Sequence, residues 1–254
     1  MITFDHVYRY SNLIDENEFF QQYFNEYLPY RYDSNFFILK YQPTLAEFEL
    51  IENMQLAFHE EEELEHLKFY WPQDKGFTPE IVAYFEESGY QIEMLELFQI
   101  DPNEFSIKVP SNIHVSPVSE HELADFKQLN YPQDLTYGSL FADMKQDLYT
   151  SVIEADFICP LIAYINGTPV GSLIALIGQT TIEIDDLYVS EEFRNKGVAT
   201  ALQTAVMTIA KEKKKQVILV ADADDTPREM YLKQGYAFTG YQLAAQKILG
   251  GQEE

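Results

Sequence analysis

Residues 180–214 constrain this chain most, because one hydrophobic period gives way to another there across a short charged turn. Residues 180–189 alternate and are rich in Ile and Val, as a strand requires. Ala199, Leu202, Ala205, Val206, Ile209 and Ala210 then fall on one face of a helix. The turn between them therefore opens a helix. The first N–H groups of a helix lack intrahelical partners and carry the positive end of its dipole, so this turn favours an anion such as phosphate. Gly197 lets such a group approach the backbone where a Cβ would obstruct it, and Arg194 adds a fixed cation.

The turn reads Leu187-Tyr188-Val189-Ser190-Glu191-Glu192-Phe193-Arg194-Asn195-Lys196-Gly197-Val198-Ala199. It matches the Arg-x-x-Gly-x-Ala form of the signature segment of the GNAT superfamily of acyl-CoA-dependent N-acyltransferases, and the chain resembles that family here. Context makes the match specific: a strand ending Leu-x-Val precedes it, an Ala-rich helix follows, and a second matching segment lies further on. The competing possibility is an ordinary strand-turn-helix whose Gly197 merely packs. The resemblance implies that acetyl-CoA is the co-substrate. Its pyrophosphate would rest on the N–H groups of Asn195, Lys196, Gly197, Val198, Ala199 and Thr200 beside Arg194. Its pantetheine arm would run along Leu187, Tyr188 and Val189, pairing with the Val189 backbone as an added strand does.

The pattern restarts after 107–112, where Pro110 and Asn112 punctuate the chain, giving expected domains 1–110 and 111–254. In the second, strands are expected at 113–118, 157–165, 169–177, 180–189, 216–221 and 237–248, with helices at 122–130, 138–154, 198–214 and 227–234. Asn166-Gly167 makes a tight hairpin, since that pair accepts the positive φ angles of such turns. This order is that of a GNAT domain over roughly 112–249. The first half repeats part of it: strands at 36–41 and 67–71 flank a helix at 45–59, Thr78-Pro79 opens another helix, and 91–100 is a strand. The fold class is α/β with a mixed sheet, a tandem GNAT-like acyl-CoA N-acyltransferase fold whose N-terminal copy is degenerate. That copy has Gln42-Pro43-Thr44-Leu45 where the anion turn would stand, so it is not expected to hold coenzyme A in that manner.

Acyl transfer from a thioester to an amine needs a held cofactor, a base for the amine proton and an acid for the departing thiolate. The segment 224–236 resembles the family's second segment, in which a Tyr four residues before Gly-aromatic faces the sulfur; Tyr231 stands there. A phenol stays protonated at neutral pH and can donate to a thiolate. The alternative is a core Tyr on an amphipathic helix. Asp224 stands where many members carry Asn, which puts a carboxylate near the anionic cofactor. Thr226 and Glu229 form a capping pair with Pro227 at the first helical position. Glu183 and Asp185 share a strand face by period two, and each can raise the other's pKa into a range useful for accepting a proton; Glu183 is favoured. The alternative is that they bind a cationic amine without moving protons. In the first half Phe85 occupies the position of Tyr231, and Tyr84 points about 100° away on the helix.

The formal net charge is −25: residues 1–110 carry 6 Lys or Arg against 22 Asp or Glu, and the rest 11 against 20. Such a field repels nucleic acid and suits amines, although solvated acidic faces explain most of it. Peptidyl or aminoacyl transfer from tRNA, a further possibility for tandem proteins of this kind, is disfavoured for the same reason. Glu60 to Glu63 with Glu65 read as a solvated face, and the five histidines lack the spacing of a zinc site, so no metal is expected. The single Cys159 lies in an apolar run and reads as a strand residue in a reducing cytoplasm. No export signal or membrane span is indicated. Phe20, Tyr23, Phe24 and Tyr27 have helical one-face spacing, for core packing or for contact with a second copy in a homodimer. The expected function is acetyl transfer from acetyl-CoA to a primary amine of a small molecule or protein, directly in a ternary complex. The alternative is a non-catalytic acyl-CoA-binding or protein-interaction module.

Overall fold

The computed structural model describes residues 1–224 and 228–250. In chain order its elements are β1 (Asn12–Glu16), β2 (Phe20–Phe24), β3 (Phe36–Leu39), α1 (Leu45–Glu61), β4 (His66–Tyr70), α2 (Pro79–Ser88), β5 (Gln91–Ile100), β6 (Ile113–Pro117), α3 (Leu123–Asp134), α4 (Ser139–Val152), β7 (Ile158–Ile165), β8 (Thr168–Ile177), β9 (Thr181–Val189), α5 (Val198–Lys213), β10 (Gln216–Asp222), α6 (Arg228–Lys233) and β11 (Ala237–Ile248). They form two compact units. The C-terminal unit holds Met1–Tyr8, Leu97–Val220 and 228–239; the N-terminal unit holds Arg9–Glu96, 221–224 and 240–250. Strands β5, β10 and β11 are thus divided between the units.

In the C-terminal unit the strand order is β11-β5-β10-β9-β8-β7-β6. Strands β6 to β9 are antiparallel neighbours, and β10 joins β9 in parallel. The β7–β8 hairpin turns on Asn166 (φ 51°) and Gly167 (φ 81°), the two positive angles its sequence anticipates. Because β8 is covered on both faces, its residues from Val170 to Leu176 are buried without alternation. The buried side of α5, Val198, Ala201, Leu202, Val206 and Ala210, supplies part of this unit's core. Helix α3 continues through Pro132 to Asp134, past the expected end near 130. The last residues of β5 lie between β10 and the start of β11, where the Thr239 hydroxyl donates to the Leu97 carbonyl at 3.0 Å.

The N-terminal unit repeats the strand-helix-strand-helix-strand order in β3-α1-β4-α2-β5. Strands β3 and β4 pair in parallel, and the later part of β11 pairs with β4, from Ala244↔Tyr70 to Ile248↔His66. Its core is aromatic, with Phe48 inserted edge-on among Phe69 at 5.0 Å and Phe85 at 5.1 Å. The helical spacing of Phe20, Tyr23, Phe24 and Tyr27 does not produce a helix. Residues 20–24 are instead strand β2, paired with both β1 and β3. The Asn17 carboxamide accepts the N–H groups of Phe19 and Phe20 and fixes the turn from β1. Phe20 faces the aromatic core while Tyr23 stacks on Phe36 on the opposite face, at 5.0 Å, so apolar residues occur on both faces and mimic a helical repeat. The glutamates at 60–63 and 65 are exposed.

Candidate active site

Two helices of the C-terminal unit follow parallel strands: α5 follows β9, and α6 follows β10. Their starts therefore lie at the carboxyl ends of neighbouring strands, where open α/β sheets bind ligands. The parallel register runs from Gln216↔Thr181 to Leu219↔Ile184. Strand β9 continues to Val189 beyond the last of these pairs, so the sheet opens between the two strands from Asp185 onward.

That opening coincides with a bulge. On β8, Ser172 and Ile174 are two residues apart, but their partners Tyr188 and Asp185 are three apart, so β9 carries an extra residue. Asp186 takes it up in the left-handed region, with φ 48°. Leu187, Tyr188 and Val189, all half-buried, follow the bulge. The Val189 carbonyl accepts Nε–H of Arg194 at 3.3 Å, and the exposed Arg194 guanidinium also lies 3.7 Å from Glu191. The Lys196 ammonium sits over the Phe193 ring, 4.8 Å from its centre.

The turn into α5 holds two left-handed residues, Asn195 (φ 61°) and Gly197 (φ 85°), on either side of Lys196. Gly197 is the N-cap, and no side chain bonds to the helix start, which comprises Val198, Ala199 and Thr200. The glycine has a structural reason besides anion approach: a Cβ there would stand 2.9 Å from Cγ of Pro110 in a backbone conformation that side chains disfavour. The matching helix of the N-terminal unit is closed. Thr44 caps α1, and the Glu47 carboxylate reaches back to the Thr44 N–H at 2.8 Å and to its hydroxyl at 2.7 Å. An anion would meet a negative charge there.

Tyr231 lies on α6, 8% exposed, with its ring 5.6 Å from both Phe98 and Tyr236. Burial raises its pKa, so the phenol keeps its proton across the neutral range. Tyr236 is also shifted up by burial, with a further contribution from Tyr231, and donates to Gln203 at 2.9 Å. Glu183 is buried at 6% exposure, and its Oε2 accepts the backbone N–H of Tyr8 at 2.7 Å. This contact brings the first residues of the chain onto β9, with the Tyr8 ring 5.7 Å from Phe157; nothing in the sequence marks it. Asp185 is half-buried and is the first β9 residue past the parallel pairing. Asp224 belongs to the N-terminal unit, where it is exposed and its N–H donates to Asp222. Thr226 and Pro227 lie outside the described residues. Among the described residues, no three His, Cys, Asp or Glu side chains are grouped to hold a metal, and no helix is long and apolar enough to cross a membrane. Cys159 is half-buried on β7, and burial raises its thiol pKa.

In the N-terminal unit Phe85 stands at the place of Tyr231 and is fully buried. The Tyr84 and Tyr90 hydroxyls both donate to buried Glu52, which burial and the carboxylate reflect in raised phenol pKa values, Tyr84 to about 12.

Residues 121–236 match the acetyltransferase (GNAT) family, and residues 2–98 match a domain of unknown function, DUF5613. A search of the curated proteins finds no match. Among solved structures, a functionally unknown conserved protein from Staphylococcus epidermidis is 32% identical, with 98% of each chain covered and a TM-score of 0.90. The fold is shared with a GCN5-related N-acetyltransferase from Kribbella flavida (13% identity, 95% of this chain and 90% of that one, TM-score 0.66). It is also shared with a tandem GNAT protein from the clavulanic acid biosynthesis pathway (9% identity, 92% and 79%, TM-score 0.59). The GNAT match falls on the segment that carries the opened sheet, the bulge and the uncapped helix start, and the tandem fold extends over the rest: residues 121–236 are a domain of the GNAT acetyltransferase family, and the N-terminal half is a divergent one of GNAT-like fold.

Proposed function

We propose that this protein is an N-acetyltransferase that moves an acetyl group from acetyl-CoA to a primary amine by direct transfer. The supporting observation is the opening between β9 and β10 beside a helix start with no side-chain cap. The donor set suits the co-substrate: α5 offers N–H groups to a pyrophosphate, with Arg194 and Lys196 in the same turn, and the edge of β9 from Leu187 to Val189 suits an extended amide-bearing arm. When bound, acetyl-CoA supplies a thioester carbonyl as the electrophile. The chain's residues then handle two protons as the C–N bond forms and the C–S bond breaks. One leaves the amine nitrogen for a carboxylate on β9. The other passes from the Tyr231 hydroxyl to the departing sulfur.

Asp185 is the direct acceptor of the amine proton in this scheme, because it is the first β9 residue at the opening, whereas Glu183 lies buried within the stretch paired with β10. The site turns over in the cytoplasm on a small-molecule amine or a protein amino group, for which the acidic surface is suited. The chain is organised as two domains, of which only the C-terminal one carries chemistry.

Calorimetric titration with acetyl-CoA tests this. One-to-one binding by the native protein, weakened in Arg194→Ala, supports it; absence of binding by the native protein overturns it. Turnover separates an enzyme from a binding module: Tyr231→Phe should keep acetyl-CoA affinity and lose rate.

A further inference from the structure

The bulge at Asp186 is held from outside the strand. Lys145 on α4 is 3% exposed, and its ammonium bonds the Asp186 carboxylate and lies 3.8 Å from Asp134, the last residue of α3. Asp134 is also buried and accepts the Tyr149 hydroxyl at 2.9 Å. One cation therefore ties two helices to the one β9 residue with a left-handed backbone.

A non-glycine residue persists in that region only where its surroundings over-determine it. Without the extra residue, Asp185, Leu187 and Val189 would share a face; with it, the face presented by Leu187 to Val189 changes phase. Removing the ammonium would leave Asp134 and Asp186 as two buried or half-buried carboxylates without their shared cation, which favours release of the bulge.

We infer that Lys145 is a positioning residue: it sets the Asp186 bulge and through it the strand edge that receives the acyl-CoA arm. The inference rests on the proposed function for its ligand, though not for its local structural consequence. The test compares the native protein with Lys145→Met and Lys145→Arg by hydrogen–deuterium exchange and by acetyl-CoA calorimetry. In Lys145→Met, amides of 187–189 should exchange at least tenfold faster while the middle of α5 and the N-terminal unit keep their native rates, and the acetyl-CoA Kd should rise about tenfold. Lys145→Arg should restore most of both, since it returns the cation. Native exchange at 187–189 in folded Lys145→Met would overturn the inference. If that variant does not fold, Asp186→Asn, which keeps an oxygen but not the charge, carries the same comparison with the same two outcomes. Failure of the native protein to bind acetyl-CoA would sink the proposed function, and the exchange data would still decide whether Lys145 holds the bulge.

Discussion

At the scale of single residues, the proposed mechanism gives Glu183 and Asp185 of β9 different work. Glu183→Gln keeps an oxygen for the Tyr8 N–H, so its kcat should fall less than about tenfold, whereas Asp185→Asn removes the proposed proton acceptor and should lower kcat by roughly a hundredfold. Steady-state rates for the two variants check this, and the reverse order would return the base to Glu183. Tyr231→Phe should lower kcat by a similar factor, about a hundredfold, with an unchanged acetyl-CoA Kd. Gly197 is a poor probe of anion binding. Gly197→Val should destabilise the fold by about 2 kcal/mol or more, from the left-handed backbone and the Pro110 contact together, whatever the ligand does. Thermal melts of the ligand-free variant measure that. The turn into α5 was legible in the sequence, because Gly197 and the helical period after it are local features. Lys145 was not: a lysine on an amphipathic helix reads as solvated, and only tertiary packing places it against Asp186.

Elements tell the same story through their ends. The sequence anticipates α1, α2 and α5 because their caps and periods are local, and it anticipates the β7–β8 hairpin because Asn-Gly dictates its turn. It misleads at Phe20, Tyr23 and Phe24, where apolar residues fall on both faces of a strand, and at Tyr27, which lies beyond that strand and is exposed. The bulge is equally invisible, since an extra residue in a strand changes register without changing composition. The capping box of α1 gives a contrast with α5: Thr44→Ala should cost about 1 kcal/mol of stability and leave acetyl-CoA binding untouched, which denaturation and calorimetry together would show. Beside it lies a buried histidine pair, His59 on α1 and His66 on β4. Burial lowers His59 to about 4 and, with a contribution from His59, His66 to about 3. Both values lie below that of an unfolded histidine, so the unfolded chain binds more protons and stability falls as pH drops from about 6.5 towards 3. Asp33, against which burial works but which Lys68 and the Tyr70 hydroxyl hold low, adds its own loss only near pH 4 and below. Urea midpoints should therefore decline already between pH 6.5 and 5, and a flat profile there would contradict the buried pair.

Over the whole molecule, each unit relies on a strand supplied from a distant part of the sequence. The N-terminal unit takes the later part of β11 against β4, and the C-terminal unit takes the end of β5 beside β10 and the first eight residues of the chain. Fragments cut at 110/111 should each lack a cooperative thermal transition by circular dichroism, because β4 and β10 would be left with exposed edges.

That exchange of strands bears on how the chain is made and inherited. On the ribosome, β4 emerges long before β11, so one edge of β4 stays bare until residues 244–248 have been made, and an unpaired edge invites misassembly in the interval. Neither unit is encoded by one contiguous stretch, so a recombination joint at 110/111 hands on neither of them whole.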